Sequence, residues 1–322
     1  MRFNPKARLD TSRVRDVGGS SGSGGGGMIP IPGGRMGGGI GGVVLVIALL
    51  VLSQCAGIDL TGVLGGSSTT SSSSSLDGSM FSGTSVDGSS SGGTHDFSSC
   101  RTGDDANNSE DCALVAVENS LYDYWSGVLG DRFQPETGVH VFEGQVQTDG
   151  CGSATEDVGP FYCPTDQTIY LDTDFYQDML EGQLGGQDAP FVRAYVIAHE
   201  YGHHIQNLLG IMNQVRTQQG ADSDSVKLEL QADCFAGMWA GSATTASADG
   251  EEPLISDLTD QDISDAIGAA TTVGDDYIQE RTQGGVDEES WTHGSSQQRV
   301  TWFKTGMAAN NDVDACDTGV GS

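Results

Sequence analysis

His199-Glu200-Tyr201-Gly202-His203 is an HExxH pattern. Two His four residues apart on a helix share one face, about one turn apart, so both imidazoles can reach one metal ion. The Glu after the first His faces the same space and can take a proton from a metal-activated water. The chemistry expected is hydrolysis with one Zn2+ ion, held by His199 and His203, with Glu200 as general base. Such centres use three protein ligands and a water. The third ligand is sought at residues 225–241, where Glu229 and Asp233 lie four apart on one helical face. Glu229 is the expected ligand, and Asp233 would accept the free N–H of a zinc-bound His and orient its ring. The alternative makes Asp233 itself the ligand. Leu228, Leu230, Ala232, Phe235, Ala236 and Trp239 surround them, so both carboxylates should be partly buried and in need of a cation or donor. His293 is the candidate donor to the developing oxyanion, with Tyr170, Tyr195 and Tyr201 behind it. His204 points about 100° away from His203 and is expected to be an orienting or surface residue.

These side chains need rigid carriers. Val192, Tyr195, Val196, His199, His203 and Gln206 recur at helical spacing, with Pro190 suited to the start and Gly210 to the stop. Gly202 inside that helix costs about 1 kcal/mol relative to Ala, which points to close packing or metal access there. Residues 225–241 and 297–309 read as further helices, the latter capped by Ser295 or Ser296. Residues 111–129 read as an amphipathic helix packed on the core. Residues 139–142 and 168–171 alternate as strands, which makes His140 a strand residue rather than a ligand. The second strand leads into a helix at 173–184, with Asp172 or Thr173 as cap. Its stretch Ile169 to Leu171 is a candidate for pairing with an extended substrate. The fold class expected is α+β, mostly helical with a small sheet.

The formal net charge is −31, from 45 acidic against 14 basic residues, which argues against a nucleic-acid partner. Six of the basic residues fall within residues 1–35, beside only Asp10 and Asp16. That Gly-rich stretch reads as a disordered basic arm. Residues 36–58 are uncharged and largely aliphatic, long enough for one membrane span. With the basic arm before it, the span reads as a signal anchor, N-terminus cytoplasmic and the rest outside at the cell membrane. A cleaved signal or a lipid anchor at Cys55 is the alternative. Residues 59–99 read as a Ser/Gly-rich tether and residues 100–317 as the folded domain. Cys100, Cys112, Cys151, Cys163, Cys234 and Cys316 follow the apolar run and form no CxxC pair. They read as three disulfides in an oxidising compartment, with reduced thiols as the alternative. Fifteen pairings are possible, and short loops favour Cys100–Cys112 and Cys151–Cys163, leaving Cys234–Cys316.

Together, HEYGHHIQNLLG, ELQADCFAGMW, GPFYCPTDQTIYLD and THGSSQQRVTWF resemble the neutral zinc metallopeptidase family of bacterial membrane-anchored proteins. The resemblance covers roughly residues 110–317 and the basic, Gly-rich N-terminus. It implies a zincin-type fold, a small sheet with an active-site helix beneath it. It also implies His199, His203 and Glu229 as zinc ligands, Glu200 as base and Asp233 as the acid behind a ligand. The function expected is hydrolysis of peptide bonds in a peptide or protein substrate. Two alternatives stand beside it: a non-catalytic, zinc-stabilised surface domain, and a zinc amidase acting on a cell-wall amide.

Overall fold

GVHVF and TIYLD are rich in β-branched and aromatic residues, a composition that suits a strand buried on both faces. In the computed structural model, which describes residues 1–18, 95–155, 158–246 and 252–322, they form the two inner strands of a four-stranded sheet. The described chain begins with β1 (Arg2–Phe3) and β2 (Val14–Asp16), then a short helix α1 (Gly103–Ala106) and α2 (Glu110–Leu129). Five strands follow: β3 (Gly138–Phe142), β4 (Gln145–Gln147), β5 (Ser153–Thr155), β6 (Phe161–Cys163) and β7 (Thr168–Asp172). A π-helix (Phe175–Gln183) leads to α3 (Pro190–Leu208) and α4 (Asp224–Ser242). The last elements are β8 (Ile255–Asp257), α5 (Asp260–Thr272), α6 (Asp275–Gln283) and α7 (Ser296–Met307). The architecture is α+β.

The main sheet runs β2-β3-β7-β6, with β3 parallel to both β2 and β7, and β6 antiparallel to β7. Both edges of β7 are therefore taken. The expectation that Ile169 to Leu171 pairs with substrate fails for that reason. β6 has an open edge among the described strands. His140 sits in β3, edge-on to Tyr170.

The first 18 residues correct a larger expectation. They are not a disordered arm: Val14, Arg15 and Asp16 pair with Val139, His140 and Val141, and β1 pairs with β8. Phe3 and Val14 are buried, and the backbone of Asp10 exchanges two hydrogen bonds with the Asn119 side chain. Arg13 reaches Glu118, Nε to Oε1 2.6 Å. Composition merged this segment with the Gly-rich stretch after it, because its partners lie more than 100 residues away. Since β2 is a strand of the main sheet, residues 1–18 lie on the same side of any membrane as the folded body. The expected separation, N-terminus inside and domain outside, does not hold for them. The apolar run at 36–58 lies outside the described residues, and no helix among the described residues is long and apolar enough to cross a membrane.

The stretch expected as a helix at 173–184 is wound as the π-helix, with Leu184 N–H bonding back five residues to Met179. Apolar spacing over so short a segment does not separate the two windings. Asp174, not Asp172 or Thr173, is its cap residue, and its side chain makes no capping bond. Pro190 opens α3, and Ser295 caps α7 with Gln298 in a reciprocal capping box.

α4 lies between α3 and α7, and glycines set both distances. A Cβ at Gly202 would stand 2.9 Å from the Ala232 carbonyl oxygen, and one at Gly306 only 1.9 Å from that of Cys234. Close packing is thus the reason for Gly202. Gly202→Ala should lower stability by about 1–3 kcal/mol through overpacking, against the gain of about 1 kcal/mol in helix propensity. A denaturant midpoint that rises in this variant would contradict the packing argument. Three disulfides join Cys100 to Cys112, Cys151 to Cys163 and Cys234 to Cys316. The third ties the C-terminal segment to α4, where Gln231 Nε2 also donates to the Cys316 carbonyl at 2.9 Å.

Candidate metal centre and active site

α3 and α4 bring three donors to one point. Glu229 Oε2 lies 3.2 Å from His199 Nε2, and Oε1 lies 3.4 Å from His203 Nε2. The three ligand atoms all fall within 4.8 Å of one another, the arrangement of a group that could hold a metal ion.

The ring nitrogens facing away from that point are both occupied. His199 Nδ1 lies 2.9 Å from Asp233 Oδ1. His203 Nδ1 lies 2.8 Å from Gln206 Oε1. Gln206 Nε2 donates to the Leu228 carbonyl at 2.6 Å and to Gln231 Oε1 at 3.2 Å, so its oxygen is left as an acceptor. The proton of His203 then sits on Nδ1, and Nε2 presents its lone pair to the shared point. Asp233 does the same for His199. The donor set is two imidazole nitrogens and a carboxylate, which fits zinc, and no Cys thiol contributes.

Asp233 is fully buried, so it needs positive partners. Arg299 supplies them, Nε to Oδ2 at 2.8 Å and Nη2 to Oδ1 at 3.0 Å. The Tyr195 hydroxyl donates to Oδ1 at 2.5 Å. Burial alone would raise the Asp233 pKa, but Arg299 and then His199 outweigh it and hold the carboxyl down at about 2. Burial likewise opposes charge on His199, yet Asp233 and Glu229 carry its imidazole up to about 10. A metal ion must displace that proton, so zinc binding here should release protons. Burial also works against ionised Glu229, and His203 with His199 draws it well below its ordinary value.

Glu200 lines the same cavity, only 7 % exposed. Burial pushes its carboxyl up from the ordinary value, the direction a group that takes and returns a proton needs. His293 faces this cavity from the loop between α6 and α7. Asp275, the first residue of α6, accepts the backbone N–H groups of Thr292, His293 and Gly294 at 2.8, 2.7 and 2.9 Å. Its other oxygen is 3.3 Å from His293 Nδ1. Burial opposes protonation of His293, and Asp275 overrides it and raises the pKa.

Of the tyrosines expected behind His293, none is placed as an oxyanion donor. Tyr195 is spent on Asp233, Tyr170 donates to Asp166 at 2.9 Å, and Tyr201 faces the buried Glu136 on the far side of α3. His204 is not at the surface. It is fully buried between the Tyr162 hydroxyl (3.0 Å) and the Gln134 carbonyl (2.8 Å), fastening α3 to β6. Arg299, Gln206 and Asp275 were missed in the sequence. None of the three carries a local pattern that would single it out.

A family model described as "Putative neutral zinc metallopeptidase" matches residues 1–319. The chain belongs to this family. The match begins at residue 1, so it includes the N-terminal strands of the fold. Among curated relatives of this metallopeptidase-family chain, uncharacterized protein Rv2575 of Mycobacterium tuberculosis is 48% identical over 225 residues, 69% of this chain and 75% of that protein. Uncharacterized protein YpfJ of Escherichia coli K12 is 35% identical over 319 residues, 97% of each chain. No solved structure matches it significantly. The family implies Zn2+, and the pair of Nδ1-anchored imidazoles facing Glu229 fits that ion. Asp233→Asn should weaken zinc binding 10–100-fold, since the ring partner of a ligating His sets its basicity. Competition with a chelating dye measures this, and an affinity within twofold of the parent would contradict it.

Proposed function

We propose that this protein is a zinc-dependent peptidase that cleaves peptide bonds outside the cytoplasm. His199, His203 and Glu229 hold the ion, Glu200 moves the proton, and His293 donates to the oxyanion. The observation that carries the proposal is that Glu200 and His293 line the cavity into which the three ligands converge. α3 packs against β6 and β7, which supports a zincin-type arrangement with the catalytic helix beneath a small sheet.

When bound, zinc supplies Lewis acidity, lowering the pKa of a water and polarising a carbonyl. Glu200 accepts a proton from the attacking water as the new C–O bond forms. It then returns that proton to the nitrogen as the C–N bond breaks, and the amine leaves neutral. His293, held through Nδ1 by the Thr292 hydroxyl and Asp275, has Nε2–H free to donate to the oxygen that gains charge. Arg299 and Tyr195 keep Asp233 aimed at His199. The open edge of β6 offers an extended substrate a strand to pair with.

Three disulfides support an oxidising compartment for the folded body, and residues 1–18 share it because β2 is part of the sheet. A peptide-library digest with and without a chelator tests the proposal. Cleavage should stop with chelator and return with added zinc. A zinc-loaded protein that cuts nothing would instead be a zinc-stabilised binding domain.

A further inference from the structure

The cavity at the metal centre has two unlike ends. Its acidic, imidazole and guanidinium lining residues are His199, Glu200, His203, Glu229, His293 and Arg299, which belong to the metal centre described above. The apolar lining includes residues of the π-helix, α5 and α6, together with Val196 of α3. Val196 precedes His199 by three residues, so it lies on the same face of α3, about 4.5 Å nearer the N-terminus. In the same lining, Phe175, Met179 and Val273 are only partly covered, and Leu184 and Ile278 are buried. A side chain next to a bond held at Glu200 would reach this wall.

Two quantities narrow what it takes. The cavity volume is about 130 Å³. An apolar cavity of about 150 Å³ lined by Leu, Ile and Phe admits benzene, so a space of this size, metal end included, has room at its apolar end for no more than one ring or one branched aliphatic group. Arg299 is the only Arg or Lys among the described lining residues, and it is already committed. Its Nε and Nη2 bind Asp233, and Nη1 donates to the Val273 carbonyl at 3.2 Å. Beyond His293, assigned above to the oxyanion beside the metal centre, no cationic side chain in the described lining is left to greet a terminal carboxylate or an acidic side chain.

We infer that the apolar end is a specificity subsite for a large uncharged side chain, of the Leu, Met or Phe kind, next to the scissile bond of an internal peptide stretch. This rests on the peptidase reading above. Met179 is the adjustable part of the wall: its unbranched thioether side chain repacks readily, and it stands on a π-helix, a winding that recurs at functional sites. The metal centre supplies the chemistry, and this wall selects the residue beside it.

End-blocked peptide libraries, digested by the zinc-loaded full chain, test the inference. Wild type should cut next to Leu, Met or Phe at least 10-fold faster than next to Gly, Asp or Lys, the scale set by an apolar pocket. Met179→Glu should lose most of that preference and accept Lys or Arg at the same position. Met179→Ala enlarges the pocket without adding charge and should move the optimum toward Phe or Trp. Zinc content of each variant confirms that the centre is intact. Wild-type cleavage without an apolar preference would overturn the subsite, and so would an unchanged preference in both variants. Either result would leave the peptidase reading standing. A zinc-loaded wild type that cuts no peptide would remove that reading itself.

Discussion

Glu200→Gln is expected to abolish peptide cleavage while one zinc per chain stays bound. Gln keeps the size of the side chain and its hydrogen-bonding reach but cannot take a proton. General acid–base catalysis of this kind contributes about 10²–10⁴-fold, and here one group serves both the attack and the departure of the amine. Glu200 is not among the three converging donors, so the ion should remain. The fold should not suffer either. Burial raises the Glu200 pKa. A carboxyl raised in this way contributes stability below its unfolded pKa and loses it as pH climbs toward the folded value. In the metal-free protein at neutral pH the neutral amide therefore removes a penalty, and its melting temperature should hold or rise. Zinc analysis, melting and the digest can be run on one preparation. Retained cleavage would take the base role from Glu200, and lost zinc would mean that Glu200 is a ligand.

Arg13→Met is expected to cost about 3–5 kcal/mol of stability, although Arg13 lies far from the metal centre in sequence. The Arg13 guanidinium packs over the Tyr122 ring at 4.2 Å. Its Nε is 2.6 Å from Glu118 and 3.7 Å from Glu136, and both carboxylates are buried beneath α3. Burial, then repulsion from Glu136, pushes the Glu118 carboxyl up to about 8 despite Arg13. The sign follows from that shift. Stability from this pair is fullest below about pH 4.5 and falls as pH rises toward about 8, as the second carboxylate is forced to ionise. Removing Arg13 should therefore cost more at pH 8 than at pH 5. Adding Glu118→Gln and Glu136→Gln to the variant should restore most of the loss, because a neutral cluster needs no cation. Urea melts at the two pH values decide it. A loss under 1 kcal/mol at both would mean that the N-terminal strands do not hold the fold together.

The metal ligands were legible in the sequence because helical periodicity is local. His199, His203, Glu229 and Asp233 each sit at spacings of four on a helix, and the structure brings those two helices face to face. The groups that orient them were not legible, because their partners come from elsewhere. Gln206 was visible as a helix position, but its role depends on the Leu228 carbonyl of α4. Arg299 meets Asp233 across 66 residues. Asp275 holds His293 through three backbone N–H groups whose alignment exists only in the folded loop. TIYLD read correctly as a strand, yet whether a strand is inner or edge is fixed by its neighbours. One neighbour is β6, only three residues long. The other sheet edge is β2, hidden in a segment whose composition resembled a disordered arm.

X-ray absorption at the zinc edge of the metal-loaded protein should show one zinc per chain, two imidazole nitrogens with oxygen donors at about 2.0–2.2 Å, and loss of one imidazole in His203→Ala. A sulfur shell at about 2.3 Å, or an unchanged imidazole count in that variant, would contradict a centre built from His199, His203 and Glu229.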